Sequence, residues 1–253
     1  MAGVYEASFS RYLLACRRTP EIWRYELVEQ SEASANHTQT MVLETAGGEP
    51  VGYLQHAPRL YRSGIALGAY ELRPGVSWLA TAPSVARYLW QQGQACARRD
   101  GGACATFNFA LGAGHPAYGA LGTALPGGQE PYAWYLRVAD LPALVRCMAP
   151  VLEQRLAASV AAGHSGELKL SFYRDGLRLA FEQGRLAAAE AWQPGGGEHA
   201  AFPGLTFLQA LFGYRSLHEL HYAFADCYWT NSETLALLAS LFPKKPSHVM
   251  PIS

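Results

Sequence analysis

Three strand-like runs joined by two tight turns constrain the fold more than any other feature of this chain. The runs are Glu167–Tyr173, Leu177–Glu182 and Leu186–Trp192, and the joins are Arg174-Asp-Gly176 and Gln183-Gly184. Joins this short connect only antiparallel neighbours, because two parallel strands need a crossover of about a dozen residues or more. The second half of the chain is therefore predicted to contain an antiparallel meander.

The first half mixes strand-like runs with helical patterns. The strand-like runs are Met41–Thr45, Val51–His56, Ile65–Leu72 and Cys104–Leu111. The helical patterns are Tyr5–Arg17, a second helix that starts at Pro20, Val85–Arg99 with Thr81-Ala-Pro-Ser84 as its cap, and Pro116–Leu125. The order ααβββαβα predicts a mixed sheet with flanking helices, of the α/β or α+β class.

A boundary between two domains is predicted at the Pro- and Gly-rich stretch Pro126–Pro131. A chain of 253 residues exceeds the usual size of one domain, so two cores are expected, in residues 1–131 and 132–253. The second domain is predicted to hold a strand, one long helix and the meander, followed by three short helices. These are Tyr132–Val138, a helix capped by Asp140 and closed by Gly163, and helices at Leu205–Phe212, Ser216–His221 and Leu235–Phe242.

Composition excludes several classes of partner. Hydrophobic residues make up 50% of the chain and the formal net charge is zero, so no overall positive field attracts nucleic acid or anionic lipid. The sequence has no run of 18 apolar residues and no apolar segment typical of a signal peptide. Five widely spaced cysteines fit neither a disulfide framework nor a zinc site. We therefore expect a cytoplasmic protein with neither nucleic acid nor membrane as a partner.

Two short motifs suggest sites, and both have structural interpretations that we favour. Arg98-Arg-Asp-Gly-Gly-Ala103 fits a pyrophosphate-binding loop pattern, but it ends a predicted helix instead of starting one. Tyr61-Arg-Ser-Gly-Ile-Ala66 is a weaker match that leads into a strand. We therefore predict helix termination and no cofactor-binding residues.

His218-x-x-His221 lacks a third nearby ligand, so no metal site is predicted.

Aromatic residues are concentrated in the second half of the chain. They could line a cavity for a small apolar ligand, but packing in a core is the more ordinary role of such side chains. The residues considered are Phe172, Phe181, Trp192, Phe202, Phe207, Phe212 and Tyr214.

Several strings resemble one family of acetyltransferases. They are Tyr132-Ala-Trp-Tyr-Leu-Arg-Val138, Ala149-Pro-Val-Leu-Glu153, Gly166-Glu-Leu-Lys-Leu170, Phe207-Leu with Leu211-Phe-Gly-Tyr214, and Leu241-Phe-Pro243. In this order they resemble the sterol-carrier-like C-terminal domain of GNAT acetyltransferases of the enhanced-intracellular-survival (Eis-like) type. Residues 1–131, with Glu49-Pro-Val-Gly52, resemble the degenerate second GNAT domain of that architecture.

The resemblance implies a role in acetyl transfer from acetyl-CoA to an amine. In this family a preceding GNAT domain binds acetyl-CoA, and the present chain has no counterpart of it. The family's general base is a C-terminal carboxylate, which the resemblance assigns to Ser253. Acetyl-CoA is thus implied by resemblance alone, and the expected partner is a separate cofactor-binding GNAT domain or another copy of this chain in a homo-oligomer.

Two functions remain open from the sequence. The first is the C-terminal part of a GNAT-type N-acetyltransferase that is inactive as an isolated chain. The alternative is a non-catalytic binding or oligomerisation module, with an apolar-ligand cavity in the sterol-carrier-like domain.

Overall fold

The computed structural model of the chain describes residues 1–126, 128 and 135–249, which fall into two compact units. The first unit comprises Met1–Glu130 together with the segment from Pro246 onward, and the second comprises Pro131–Lys245. Each unit contains one mixed β-sheet with accompanying helices. The predicted α+β class is therefore confirmed.

A four-stranded sheet forms the centre of the first unit. Its strands lie in the order β1 (Gln39–Glu44), β2 (Pro50–His56), β3 (Gly64–Leu72) and β4 (Thr106–Phe109). The first three are antiparallel and β4 is parallel to β3, so the sheet is mixed, as predicted. Helix α3 (Trp78–Asp100) supplies the crossover that a parallel pair requires.

The start of α3 differs from the prediction. The helix begins at Trp78, where the Ser77 hydroxyl accepts a hydrogen bond from the Ala80 amide, and not at Val85. Pro83 lies inside the helix, where it cannot donate an amide hydrogen bond. The Thr-Ala-Pro-Ser string resembles a cap but is interior. The helix ends, as predicted, at Gly101, whose φ of 70° is left-handed.

The N-terminal helix is also shorter than predicted. It is divided into α1 (Ala2–Ala7) and a 3₁₀ turn (Ser8–Arg11), and Tyr12 is already extended. The reason is that residues just after Tyr12 pair with the segment from Pro246 onward, so their backbone groups are used outside a helix. The remaining helical segments of this unit are α2 (Pro20–Arg24), a π-helical turn (Tyr25–Glu29), α4 (Pro116–Leu121) and a 3₁₀ turn (Gly122–Ala124).

A five-stranded sheet forms the second unit. Its order is β7 (Arg185–Trp192), β6 (Gly176–Glu182), β5 (Gly166–Ser171), β8 (Ala200–Ala201) and β9 (Tyr228–Trp229). The antiparallel meander β5–β6–β7 is confirmed. The sequence does not reveal β8 and β9, because two residues are too few to show a period.

Proline divides the long helix predicted after Asp140. The structure has α5 (Leu141–Cys147) and α6 (Ala149–Ala157), because Pro150 lacks the amide that would continue one helix. Of the strand predicted at Tyr132–Val138, residues 132–134 lie outside the described residues and 135–138 belong to neither sheet. The later helices follow the prediction closely: α7 (Thr206–Leu211), α8 (Leu217–Ala223) and α9 (Ser232–Leu241).

Aromatic side chains fill the core of the second unit. Phe207 is buried, and its ring centroid lies 5.4 Å from that of Phe172, 5.3 Å from that of Phe202 and 5.3 Å from that of Phe242. These distances are those of packed aromatic pairs. Within the part of the chain that the structure describes, no helix combines the length and apolar character needed to cross a bilayer.

Candidate functional site

Charged and aromatic side chains meet where β3 ends in the first unit. We call this group the Glu71 cluster: it consists of Arg11, Tyr12, Glu71, His115 and His248. Glu71 is near the end of β3, His115 is the N-cap of α4, and Arg11 closes the first 3₁₀ turn. His248 comes from the C-terminal segment. Four separate parts of the chain therefore converge on one place.

A buried ion pair is the centre of the cluster. Nη2 of Arg11 donates to Oε1 of Glu71 at 2.5 Å and to Oε2 at 2.6 Å. The side chains of Arg11 and Glu71 are 24% and 10% exposed. Burial raises the pKa of Glu71, and the hydrogen bonds and charge of Arg11 offset this only in part. Desolvation of the carboxylate therefore outweighs its attraction to the guanidinium.

His115 is held neutral beside this pair. Its Nε2 lies 2.8 Å from the Tyr70 carbonyl oxygen, and its Nδ1 accepts from the Ala117 amide at 3.2 Å. An acceptor Nδ1 assigns the proton to Nε2. Burial lowers the pKa of His115 to about 4; the Tyr70 carbonyl opposes this shift, and the charges of Arg11 and His248 add to it. Both ring nitrogens are thus occupied by backbone groups.

The C-terminal segment pairs with the N-terminal segment next to the cluster. The Leu13 amide donates to the Pro246 carbonyl at 2.7 Å, and the His248 amide donates to the Leu14 carbonyl at 2.9 Å. Ala15 and His248 form a parallel β-bridge. The segment from Pro246 to His248 is therefore fixed to the first unit by backbone hydrogen bonds.

The His248 side chain fits against a glycine. A Cβ placed on Gly112 would lie 2.5 Å from Nδ1 of His248, and Gly112 has a φ of 82°. The His248 ring centroid also lies 5.3 Å from that of Tyr12. Burial, with the charges of Arg18 and Arg11, lowers the pKa of His248. The ring is therefore seated as a neutral side chain in a notch that only glycine leaves open.

The loop between β3 and α3 is a strand-to-helix junction that the sequence analysis missed. It was missed because the helix was predicted to start at Val85, well after Ser77. Gly75 in this loop has a φ of 88°. Nη1 of Arg73, however, donates to Oε1 of Glu49 at 2.8 Å and to the Pro50 carbonyl at 3.1 Å. Arg73, which could bind an anion at this junction, is thus hydrogen-bonded to β2 and to the turn before it.

A second group of buried polar atoms lies on the sheet beside Glu71. Tyr53 is paired with Glu71 in the β2–β3 register and is fully buried. Nε of Arg18 lies 3.1 Å from Oε2 of Glu26, and both side chains are 10% exposed. Within the described residues, the Tyr53 hydroxyl and Nε1 of Trp23 have no hydrogen-bond partner. Strand alternation predicts that Tyr53 is buried but not which groups surround it.

Of the residues singled out from the sequence, the structure describes the histidine pair and the motif at residues 98–103. Ser253 lies outside the described residues. Nδ1 of His221 lies 2.6 Å from the Cys227 carbonyl oxygen, and the rings of His218 and His221 contact Trp229 at centroid distances of 5.6 and 5.1 Å. Across residues 1–126, 128 and 135–249, no group of three or more possible ligands is arranged for a metal ion. Arg98-Arg-Asp-Gly-Gly-Ala103 ends α3, and Arg99 pairs with Asp100.

Comparison with solved structures gives a distant similarity. The chain is similar to a conserved protein of unknown function from Enterococcus faecalis V583, described as a probable N-acyltransferase, with 11% identity and a TM-score of 0.47. The match covers 98% of this chain and 58% of that protein, so the chain spans less than two thirds of its length. No family model and no curated protein matches the chain. A similarity this low does not establish a shared activity.

Proposed function

We propose that this chain is an accessory part of a GNAT-type N-acyltransferase and that its first unit holds the C-terminal segment in position. The observation that carries the proposal is the pairing of Pro246 and His248 with Leu13 and Leu14. Two backbone hydrogen bonds and a half-buried imidazole hold this segment in a single position. In this proposal acetyl-CoA is bound by a separate domain.

The Glu71 cluster supports an accessory role over a catalytic one. A general base needs a lone pair that can reach the substrate, but Arg11 takes both oxygens of Glu71. His115 uses both ring nitrogens in backbone contacts. Arg73, at the strand-to-helix junction, is held by Glu49. Glu71, His115 and Arg73 are thus each paired within the protein.

The proposed general base is Ser253, as the family resemblance assigns it. Ser253 follows His248 by five residues. An extended chain of that length spans at most about 17 Å, so the anchor at His248 would limit where the carboxylate can reach. An anchored segment loses less conformational entropy when its carboxylate is positioned at the substrate. The anchor would therefore increase the rate of proton abstraction.

Acetyl-CoA binding by the isolated chain tests the accessory role. We expect no binding in isothermal titration calorimetry and no coenzyme A release when the chain is mixed with acetyl-CoA and a panel of amines. The physical reason is that Arg73 and Arg99 are each already paired with a carboxylate, which a pyrophosphate would have to displace. A dissociation constant below about 1 μM would contradict the accessory role.

The acyltransferase assignment is tested with a partner from the source organism. The full chain and a variant that lacks residues 246–253 are immobilised, incubated with lysate and washed. The eluates are then assayed for coenzyme A release from acetyl-CoA with the amine panel. We expect activity to be retained with the full chain and lost with the shortened one. Equal activity in both eluates, or none in either, would count against the proposal.

Replacing Gly112 with alanine should release the C-terminal segment. The new Cβ would collide with His248, 2.5 Å away, and alanine is strained at a φ of 82°. We expect a stability loss of about 1–2 kcal/mol. The amides of Leu13 and His248 should lose at least about tenfold of their hydrogen-exchange protection, because their acceptors move away.

Gly114→Ala is the matched control. Gly114 has a φ of 77°, so alanine is similarly strained there, but its Cβ would lie 3.6 Å from the nearest atom, in Pro246. This variant should lose stability while the amides of Leu13 and His248 remain protected. If the two variants lose the same protection, His248 is not the anchor.

A further inference from the structure

We propose that a polar cavity of the first unit binds a small zwitterion, of which a free α-amino acid is the simplest kind. The cavity has a volume of about 510 Å³, which lies in the range of small-molecule sites. The polar and charged residues that line it are Glu32, His37, Gln39, Arg59, Arg99 and Asp100. A lining of this kind suits a water-soluble ligand.

Three separate parts of the first unit form the walls of the cavity. Glu32 and His37 belong to the loop before β1, Arg59 follows β2, and Arg99 and Asp100 end α3. Arg99 donates to both carboxylate oxygens of Asp100, at 2.6 and 2.7 Å. It also donates to the backbone carbonyl that precedes Arg59, at 3.0 Å. Arg99 and Asp100 therefore neutralise each other, and together they fix the segment after β2 to the end of the helix.

Arg59 and Glu32 remain as two opposite charges that the fold does not use. Within the described part of the chain, the Arg59 guanidinium has one hydrogen bond, a long one of 3.5 Å from Nη2 to the Glu32 carbonyl oxygen. Neither side chain forms an ion pair with another described residue. The guanidinium lies against the backbone of Glu32, so the two charges are on the same side of the cavity.

This pair of charges selects a zwitterion over an ion of one sign. An anion would be attracted by Arg59 and repelled by Glu32, and a cation would experience the reverse. A free amino acid can pair with both, because its carboxylate fits the planar fork of arginine and its ammonium can donate to a carboxylate. The carboxyl end of α3, where the helix dipole is negative, also borders the cavity and disfavours a polyphosphate there.

His37 supplies a third polar contact. Its Nδ1 is buried, and it has no hydrogen-bond partner among the residues that the structure describes. The side chain lines the cavity, so a bound ligand can supply the partner. Two serines hold the loop that carries it: the Ser31 hydroxyl accepts from the Ala33 amide at 3.2 Å, and the Ser34 hydroxyl accepts from the Asn36 amide at 3.2 Å. The site is therefore organised before a ligand binds.

Calorimetric titration of the full chain with each of the common amino acids tests the ligand class. We expect at least one of them to bind with a dissociation constant below about 1 mM. Its amide lacks the carboxylate and its N-acetyl form lacks the ammonium, so each should bind at least about tenfold more weakly. The experiment contains neither acetyl-CoA nor a partner, so its result does not depend on the acyltransferase proposal. Binding of no amino acid, or equal binding of the amide and the N-acetyl form, would overturn the inference.

Two substitutions assign the charges of the ligand to their partners. Arg59→Gln should raise the dissociation constant at least about tenfold and remove the preference for the amino acid over its amide. Glu32→Gln should weaken binding by a similar factor and remove the preference over the N-acetyl form. Residues 32 and 59 are both exposed, so the two variants should share the unfolding midpoint of the wild type.

Arg87→Gln is the matched control. Arg87 is an exposed arginine of α3 that does not line the cavity, so this variant should bind the amino acid as the wild type does. Unchanged affinity in both Arg59→Gln and Glu32→Gln would overturn the inference. An equal loss of affinity in Arg87→Gln would do the same, because the effect would then be one of net charge and not of this cavity.

Discussion

Replacing Glu71 with alanine is expected to lower the free energy of unfolding by about 3 kcal/mol, as urea denaturation would measure it. The substitution leaves the Arg11 guanidinium in the interior without its counter-charge. Removing one partner of a buried pair costs about 3–5 kcal/mol, and the lower value applies because the Arg11 side chain is 24% exposed.

Glu49→Ala provides the comparison. Glu49 pairs with Arg73 at 2.8 Å, but these side chains are 65% and 50% exposed, so its loss should cost less than about 1 kcal/mol. The double variant Arg11→Met with Glu71→Leu should cost less than Glu71→Ala alone, because it removes both charges and their desolvation. Equal losses for Glu71→Ala and Glu49→Ala would show that burial does not set the strength of this pair.

The strands of the meander were predictable from sequence because their signals are local. The turn Arg174-Asp-Gly176 and the Gln183-Gly184 pair each determine a hairpin by themselves. Helix ends were less predictable near proline, which can start a helix, divide one or lie inside one. Pro142 starts a helix, Pro150 divides one and Pro83 lies inside one. The sequence around each proline does not distinguish these cases, because the outcome depends on which residues the helix packs against.

The Glu71 cluster was not predictable, because its members are far apart in the chain. Arg11 is 60 residues from Glu71, and His115 is 45 residues from Tyr70. None of these residues stands in a motif, and a carboxylate in a strand usually faces solvent. The sequence predicts a helix that starts at Pro116, but it does not place the preceding residue, His115, beside an ion pair. Its position at the ion pair depends on the crossover through α3, which brings α4 to the end of β3.

The N-terminal segment shows how a distant partner overrides a local pattern. Phe9, Leu13 and Cys16 have helical spacing, which predicted a helix through Arg17. The structure is extended from Tyr12 because Leu13 and Leu14 pair with Pro246 and His248. Propensity is a weak signal in a short helix, so two backbone hydrogen bonds to another segment are enough to change the outcome.

Acidification from pH 7 to pH 4 is expected to remove about 3 kcal/mol of stability through His115 alone. Its pKa is about 4 in the folded protein and 6.5 as a free group. Between these values the unfolded chain binds a proton that the folded chain does not. The free energy of unfolding therefore falls as the pH falls through this window, and urea denaturation at pH 7, 6, 5 and 4 would measure the loss.

His115→Asn isolates this contribution. Asparagine does not titrate and is a favoured N-cap residue, so it can replace the contact of His115 Nδ1 with the Ala117 amide.

The neighbouring groups also titrate: the lowered pKa of His248 acts in the same direction as His115, and the raised pKa of Glu71 acts in the opposite one. Arg11 stays charged throughout, so it repels a protonated His115 at every pH. The variant retains the effects of His248 and Glu71. Between pH 7 and pH 4 its free energy of unfolding should therefore fall by about 3 kcal/mol less than that of the wild type. Parallel curves would mean that the pKa of His115 does not change on folding, which would contradict its burial as a neutral ring whose Nδ1 accepts from the Ala117 amide.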